Sequence, residues 1–115
     1  MNNIKLVVNN EIKKNEREKF FIKKELQSIL NLYAKMVSNG SWKDYSFSSG
    51  TKEVSFNVYQ RASDKPVLRI AKNLKPNYFS EKFFIKDKDG KVIQKSENLN
   101  KLINKTSWTK LKIVK

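Results

Sequence analysis

The chain has 115 residues, the length of one domain, and carries 25 Lys and Arg residues against 11 acidic ones, for a net charge of +14. It contains neither cysteine nor histidine, which excludes disulfides, thiolate or imidazole metal sites, and Ser-His or Cys-His catalytic pairs. With 38% apolar residues the chain can form one modest core, so it is not a disordered polycation.

The first 19 residues contain one short apolar run, Ile4 and residues 6–8, interrupted by Lys5 and followed by alternating charges. This run is too short for the apolar region of a secretory signal. No stretch approaches the roughly 18 to 20 apolar residues that cross a bilayer. We therefore expect a loosely ordered charged segment over residues 1–19, a single domain over residues 20–115, a cytoplasmic protein and no membrane partner.

An amphipathic helix is predicted from Lys23 to Ser38. Its apolar residues recur at spacings of three and four, which places them on one face. The following Asn39-Gly40 pair supplies the left-handed residue that commonly ends a helix. The apolar face consists of Leu26, Ile29, Leu30, Tyr33, Met36 and Val37.

Five strands are predicted after this helix, over residues 42–48, 54–62, 67–72, 78–86 and 91–95, because apolar and polar residues alternate there. Turn residues separate the strands, and Asp89-Gly90 is typical of a tight hairpin. Asp87-x-Asp89-Gly90 also resembles the start of a calcium loop. Its twelfth position would be Asn98 rather than a glutamate, so we interpret the segment as a hairpin.

The last elements are a short helix over residues 97–105, with Ser96 as its cap, and a strand over residues 108–114. The predicted fold class is α+β: one amphipathic N-terminal helix, an antiparallel meander sheet of about five strands, a short helix and a closing C-terminal strand. The helices are expected to cover one face of the sheet. Trp42, just after the helix stop, is expected to anchor the first helix to this sheet rather than to bind a ligand.

Two segments of the chain are specific: Gly40-x-Trp42-x-Asp44-Tyr45 and Phe56-x-Val58-Tyr59-x-Arg61-Ala62-Ser63-x-x-Pro66-x-x-Arg69-Ile70-x-Lys72. They resemble a small alphaproteobacterial family that is catalogued as a domain of unknown function (number twenty-seven ninety-four). The resemblance covers about residues 20–115, and it implies the fold and a cytoplasmic bacterial origin but no activity. The chain departs from the family pattern at Ile22, Gln60 and Leu68, which makes any arginine cluster smaller.

The candidate nucleic-acid-binding residues are Tyr59, Arg61, Arg69 and Lys72. A turn centred on residues 64 and 65 predicts that Tyr59 lies opposite Arg69, with Arg61 on the same face. An aromatic ring beside guanidinium groups can stack on bases and bind phosphates. The alternative is structural, with Arg69 packing over Tyr59 or pairing with an acid such as Asp44.

The composition favours a non-enzymatic module that binds nucleic acid or another polyanion, without a cofactor or metal. A large positive charge attracts polyanions, and the scattered acidic residues form no acid–base pair. Two alternatives remain open. The chain can be an adaptor or regulatory subunit that binds another protein. The lysine content can also reflect AT-rich codon usage, because only Arg17, Arg61 and Arg69 of the 25 basic residues are arginine.

Overall fold

The computed structural model describes residues 20–61, 65–106 and 108. The predicted loose segment over residues 1–19 lies outside these ranges, and so does most of the predicted closing strand. Trp108, the one described residue of that strand, is not in a β-strand. Within the described ranges no helix is long and apolar enough to cross a bilayer.

Helix α1 runs over Lys23–Ser38, as predicted. Ile22 precedes it and offers no polar side chain as a cap. Glu25, in the first turn of the helix, instead binds the residue before it: its Oε1 accepts the backbone N–H of Ile22 at 2.8 Å. At the other end Gly40 has a φ of 84°, the left-handed conformation that releases the chain toward the sheet.

Five strands form one antiparallel sheet in which each strand pairs with its neighbour in sequence. The fourth strand starts five residues later than predicted, because a 3-10 helix over Phe79–Glu81 precedes it. The meander itself confirms the predicted α+β class. The strands are β1 (Asp44–Ser49), β2 (Glu53–Tyr59), β3 (Leu68–Asn73), β4 (Phe83–Asp87) and β5 (Val92–Ser96).

The β4–β5 connection is the predicted hairpin, with Gly90 at a φ of 83°. The Asp87 carboxylate accepts the backbone N–H groups of Asp89 and Lys91, each at 2.9 Å. This carboxylate therefore holds the turn. The described residues contain no group of three or more metal-ligating side chains.

Helix α2 runs over Leu99–Lys105, two residues shorter at its start than predicted. Asn98 is the cap instead of Ser96, because its side chain accepts the N–H of Lys101 at 3.1 Å. The Ser96 hydroxyl accepts the N–H of Asn98 and donates to the Glu97 carboxylate, which extends the turn before the helix.

Both helices cover the same face of the sheet, and the core lies between the two layers. Trp42 is buried there, with its ring 6.2 Å from that of Tyr33 and 5.7 Å from that of Trp108, as expected for an anchor. Burial of these side chains removes apolar surface from water and holds the layers together. The largest fully buried side chains among the described residues are Ile29, Val54, Phe56, Val58, Ile70, Ile85 and Leu102.

The register between β2 and β3 differs from the prediction. Arg69 pairs with Asn57, not with Tyr59, so the predicted register was wrong by two residues. Strand β2 ends at Tyr59 and β3 begins at Leu68, which leaves a longer connection than a tight turn at residues 64 and 65 requires. A shift of two residues keeps each side chain on its predicted face, because the side-chain period of a strand is two.

Candidate nucleic-acid interface

The face of the sheet opposite the helices is the open face. It is formed by alternate residues of the strands, and no described helix packs on it. Its members follow from the strand registers: Asp44, Ser46, Ser48, Glu53, Ser55, Asn57, Tyr59, Arg69, Ala71, Asn73, Phe84, Lys86, Val92 and Lys95.

Arg69 is exposed on β3, the central strand of the open face. Its guanidinium forms no ion pair with any described carboxylate. The expected alternative partner, Asp44, instead accepts the backbone N–H of Tyr45 at 2.8 Å. The guanidinium is therefore accessible to a ligand from solvent.

Tyr59 is half-buried at the end of β2, and its hydroxyl lies 2.9 Å from the Ser46 hydroxyl on β1. Among the described residues the cation–π contacts involve lysines on other rings, so Arg69 does not pack over Tyr59. The Ser46 contact fixes the ring orientation at the edge of the open face. Tyr59 and Arg69 thus lie on the same face, but the Arg69 guanidinium does not stack on the Tyr59 ring.

A hydroxyl network forms the floor of the open face on β1 and β2. The Asn57 side chain is buried there, although no helix covers it. Its Nδ2 donates to Ser48 at 2.9 Å and to Ser46 at 3.2 Å, and its Oδ1 accepts from Ser55 at 2.9 Å. The analysis of the sequence missed this network. The signal was present as serine and asparagine at alternate positions of two adjacent predicted strands.

On the β4 side, an ion pair crosses the open face. Lys86 Nζ on β4 lies 3.4 Å from Glu53 Oε2 on β2, so the side chains pass over β3 between them. Ala71, the small residue of β3 at this point, is fully buried as a result. The same ammonium lies 5.4 Å from the centre of the Phe84 ring. Phe84 therefore offers an aromatic surface next to a cation.

A shallow groove of about 230 Å³ continues from Phe84 toward β5. This volume is below the range of about 300 to 1,000 Å³ that is usual for small-molecule pockets, so the groove can accept a single planar group at most. A Lys95–Glu81 ion pair at 3.9 Å borders it. Its lining residues are Asn73, Glu81, Phe84, Val92 and Lys95.

Arg61 is exposed two residues beyond the end of β2. It lies at the Tyr59 end of the open face, before the undescribed residues 62–64. No ion pair joins it to a carboxylate in the described part of the chain. Arg61 and Arg69 thus both present accessible guanidinium groups, one at the end of the face and one at its centre.

Lys72 does not belong to this interface. It lies on the face covered by helices, and its side chain is only 6% exposed. Its ammonium donates to Glu25 Oε1 on α1 at 3.0 Å and to the backbone carbonyl of Phe20 at 2.9 Å. Lys72 is three positions from Arg69, an odd number, so the two side chains point to opposite faces. The candidate set is reduced to Tyr59, Arg61 and Arg69.

The exposed lysines are not confined to the open face. They also occur on both helices and on the turns at each end of the sheet, as codon usage alone would produce. The open-face lysines, Lys86 and Lys95, are paired with Glu53 and Glu81. The uncompensated cations of the interface are therefore the arginines. Exposed lysines elsewhere include Lys23, Lys24, Lys35, Lys52, Lys65, Lys75, Lys88, Lys91 and Lys105.

Comparisons with known proteins give a family but no activity. No curated protein and no solved structure matches the chain. One family model matches residues 19–103, which includes the sheet, both helices up to Ile103 and all three remaining candidate residues. Since this match covers most of the chain, the chain belongs to the family described as "Protein of unknown function (DUF2794)".

Proposed function

We propose that this domain binds the backbone and bases of single-stranded RNA or DNA on its open face, without catalysing a reaction. The observation that carries the proposal is the position of Arg69. It is exposed at the centre of the open face, between an aromatic residue on β2 and another on β4, and no carboxylate of the described residues pairs with it.

Each group on this face suits one part of a single strand. A guanidinium binds phosphate oxygens through two parallel hydrogen bonds, which a lysine ammonium cannot do. Tyr59 and Phe84 provide rings on which unpaired bases can stack. The hydroxyls of Ser46 and Ser48 add neutral hydrogen-bonding groups. The net charge of +14 increases the rate of encounter with a polyanion but does not select the site.

The carboxylates of the open face favour binding over catalysis. Glu53 and Glu81 are engaged by the ammonium groups of Lys86 and Lys95, and the Asp44 carboxylate accepts the backbone N–H of Tyr45. General acid–base chemistry requires a carboxyl group within hydrogen-bond reach of a substrate held in a fixed position. We accordingly propose a binding module, in the cytoplasm, with no cofactor.

The first test measures the affinity of fluorescein-labelled oligouridylate and oligothymidylate of twelve nucleotides by anisotropy at several salt concentrations. We expect the binding constant to fall steeply with salt, because each phosphate contact releases counterions. Arg69→Gln should lower affinity about tenfold. It should also flatten the logarithmic salt slope by about 0.7.

The matched control is Lys35→Gln, which removes one exposed positive charge from α1, outside the open face. We expect it to change affinity less than twofold, because its long-range effect is screened by salt. Equal losses for the two variants would show that net charge alone attracts the oligonucleotide. Affinity that does not depend on salt would refute the proposal.

A second test separates stacking from charge. Tyr59→Phe removes the hydroxyl contact to Ser46 and keeps the ring, whereas Tyr59→Ala removes both. Loss of a stacked base costs about 1 to 3 kcal/mol, so the alanine variant should bind at least fivefold more weakly. The phenylalanine variant should bind nearly as well as the original chain. Equal affinity for both variants and the original chain would remove Tyr59 from the site.

The adaptor hypothesis predicts a different outcome. Purified chain carrying an affinity tag would retain a protein partner after complete nuclease digestion. A chain that binds neither oligonucleotide, yet holds a stoichiometric protein after nuclease, would replace the nucleic-acid proposal by the adaptor hypothesis.

A further inference from the structure

Among the described residues, the outer edge of β1 has backbone groups without a strand partner. β1 is the first strand of the sheet order, and within residues 20–61, 65–106 and 108 it pairs on one side only, with β2. The N–H of Tyr45 is directed to the Asp44 carboxylate, at 2.8 Å, and not to β2. Alternate residues of a strand direct their N–H groups to the same side. The N–H groups of Phe47 and Ser49 therefore also face away from β2.

The opposite edge of the sheet is protected and β1 is not. β5 carries Lys95, and its pairing with β4 is interrupted by a register shift between Ile85 and Lys86 of β4. The Lys105 ammonium of α2 also donates to the backbone carbonyl of Lys95. Lysines, bulges and covering helices are the features that prevent an edge strand from pairing with another chain. β1 contains no lysine, proline or register shift.

An exposed apolar surface adjoins this open edge on the side of the helices. Tyr45 and Phe47 are 41% and 38% exposed on β1, and Leu30 and Val37 are 40% and 41% exposed on α1. Tyr33 joins the two elements, with its ring 4.9 Å from that of Tyr45. We call these five residues the β1 patch. A strand added at β1 would direct every second side chain onto this patch.

The charges around β1 indicate what kind of strand fits. Lys43 precedes β1 and Lys52 follows it, and both are exposed. A second copy of this chain would bring the same two lysines and another +14 to the interface. An acidic segment would meet a lysine at both ends, and the Asp44 carboxylate beside Lys43 is held by the backbone N–H of Tyr45. Like charges at an interface are unfavourable, and complementary charges select the partner.

We propose that β1 binds an extended segment of another protein, with apolar residues at alternate positions and acidic residues at its ends. The segment pairs with the outward amides of β1 as a sixth strand and places its apolar side chains on the β1 patch. This surface lies on the helix side and at the edge of the sheet, whereas Arg69 lies on the open face. The two sites therefore use different faces of the sheet, although β1 contributes Ser46 and Ser48 to the open face.

The probe is a synthetic peptide, acetyl-Glu-Val-Thr-Val-Thr-Val-Glu-amide, titrated into the ¹⁵N-labelled full chain and followed by NMR. We expect the largest amide shifts at Phe47 and Ser49. The same peptide with lysine at both ends should bind roughly fivefold more weakly, because two exposed ion pairs are lost. Arg69→Gln should leave peptide binding unchanged, which separates this site from the nucleic-acid interface.

Two variants place the site on β1. Phe47→Lys introduces a charge at the open edge and should abolish peptide binding. Ser49→Pro removes an outward N–H without removing an apolar contact, so it tests the edge even where Phe47→Lys lowers stability. The matched control is Val92→Lys on β5, which replaces a residue that is 46% exposed on the other edge strand. This control should bind the peptide normally.

Any of four results would overturn the proposal. The peptide shifts could lie away from β1, the lysine-ended peptide could bind as well as the glutamate-ended one, or Val92→Lys could weaken binding as much as Phe47→Lys. Self-association of the chain that shifts the same Phe47 and Ser49 amides without peptide would also overturn it, since it would assign the edge to a second copy.

Discussion

The two faces of the sheet use the same kinds of residues in opposite ways. Lys72 and Arg69 lie three positions apart on β3. Lys72 is buried under α1, in an ion pair with Glu25, while Arg69 is exposed on the open face and pairs with no carboxylate in the described part of the chain. A basic residue on the covered face thus joins the helix to the sheet, and one on the open face remains available to a ligand. Charge alone does not indicate function here, because the face determines the role.

The largest effect is expected at the centre of the covered face. Phe56 is fully buried, with its ring 5.2 Å from that of Tyr45 and 5.8 Å from that of Tyr33. Phe56→Ala would leave a cavity and lower the free energy of unfolding by about 4 kcal/mol. Urea denaturation followed by circular dichroism measures this change. A loss below about 1 kcal/mol would show that the aromatic cluster is not well packed.

A somewhat smaller loss is expected at the buried ion pair. Lys72→Ala would leave the Glu25 carboxylate, which is 12% exposed, without its cation. We expect a loss of about 3 kcal/mol in the free energy of unfolding. Arg69→Ala, on the other face of the same strand, should change stability by no more than about 0.5 kcal/mol. Equal effects of the two substitutions would contradict the contrast between the faces.

The hydroxyl network of the open face should contribute less. Asn57→Ala removes hydrogen bonds to Ser46, Ser48 and Ser55. The cost should be about 1 to 2 kcal/mol, because Ser46 and Ser48 are near solvent and can bond to water, whereas the buried Ser55 loses its acceptor. The neighbouring Phe56→Ala, on the covered face, is the comparison for the same denaturation experiment. A cost above that of Phe56→Ala would reverse the ranking of the two faces.

The smallest effect on stability is expected at an exposed ion pair, between Lys101 and Glu97. A hydrogen bond from Lys101, one turn later, lowers the pKa of Glu97 from 4.5 to about 2. A depressed carboxyl pKa stabilises the fold above pH 4.5, and this contribution is lost as the pH falls toward 2. NMR titration of the Glu97 side chain measures the shift directly. Lys101→Ala should return the pKa toward its ordinary value, and an unchanged pKa would contradict this cause.

The sequence predicts the elements well and the tertiary partners poorly. The α1 bounds follow from local periodicity and the Asn39-Gly40 stop, both of which are visible in the chain. The β2–β3 register was wrong because it depends on the length of an irregular connection, and residue types do not specify that length. The start of α2 was wrong because Ser96 and Asn98 are both good caps, and only their contacts distinguish them.

The candidate site was predicted in part for the same reason. Alternation placed Tyr59 and Arg69 on one face, and this holds in the structure. Lys72 was included among the candidate binding residues, although the same alternation places its side chain on the face opposite that of Arg69. Its partner, Glu25, lies 47 residues away in sequence. No local pattern indicates a contact over that separation.

The meander order has a consequence for how the chain reaches its native state. Each strand pairs with the strand just before it in sequence, so every hairpin can close without waiting for distant residues. Domains rich in such short-range pairings have low contact order and fold within milliseconds or faster. We expect a single rapid refolding phase, slowed mainly by the docking of α1 onto a sheet that is already formed. Stopped-flow tryptophan fluorescence would follow this step, because the buried Trp42 ring lies 6.2 Å from that of Tyr33 on α1.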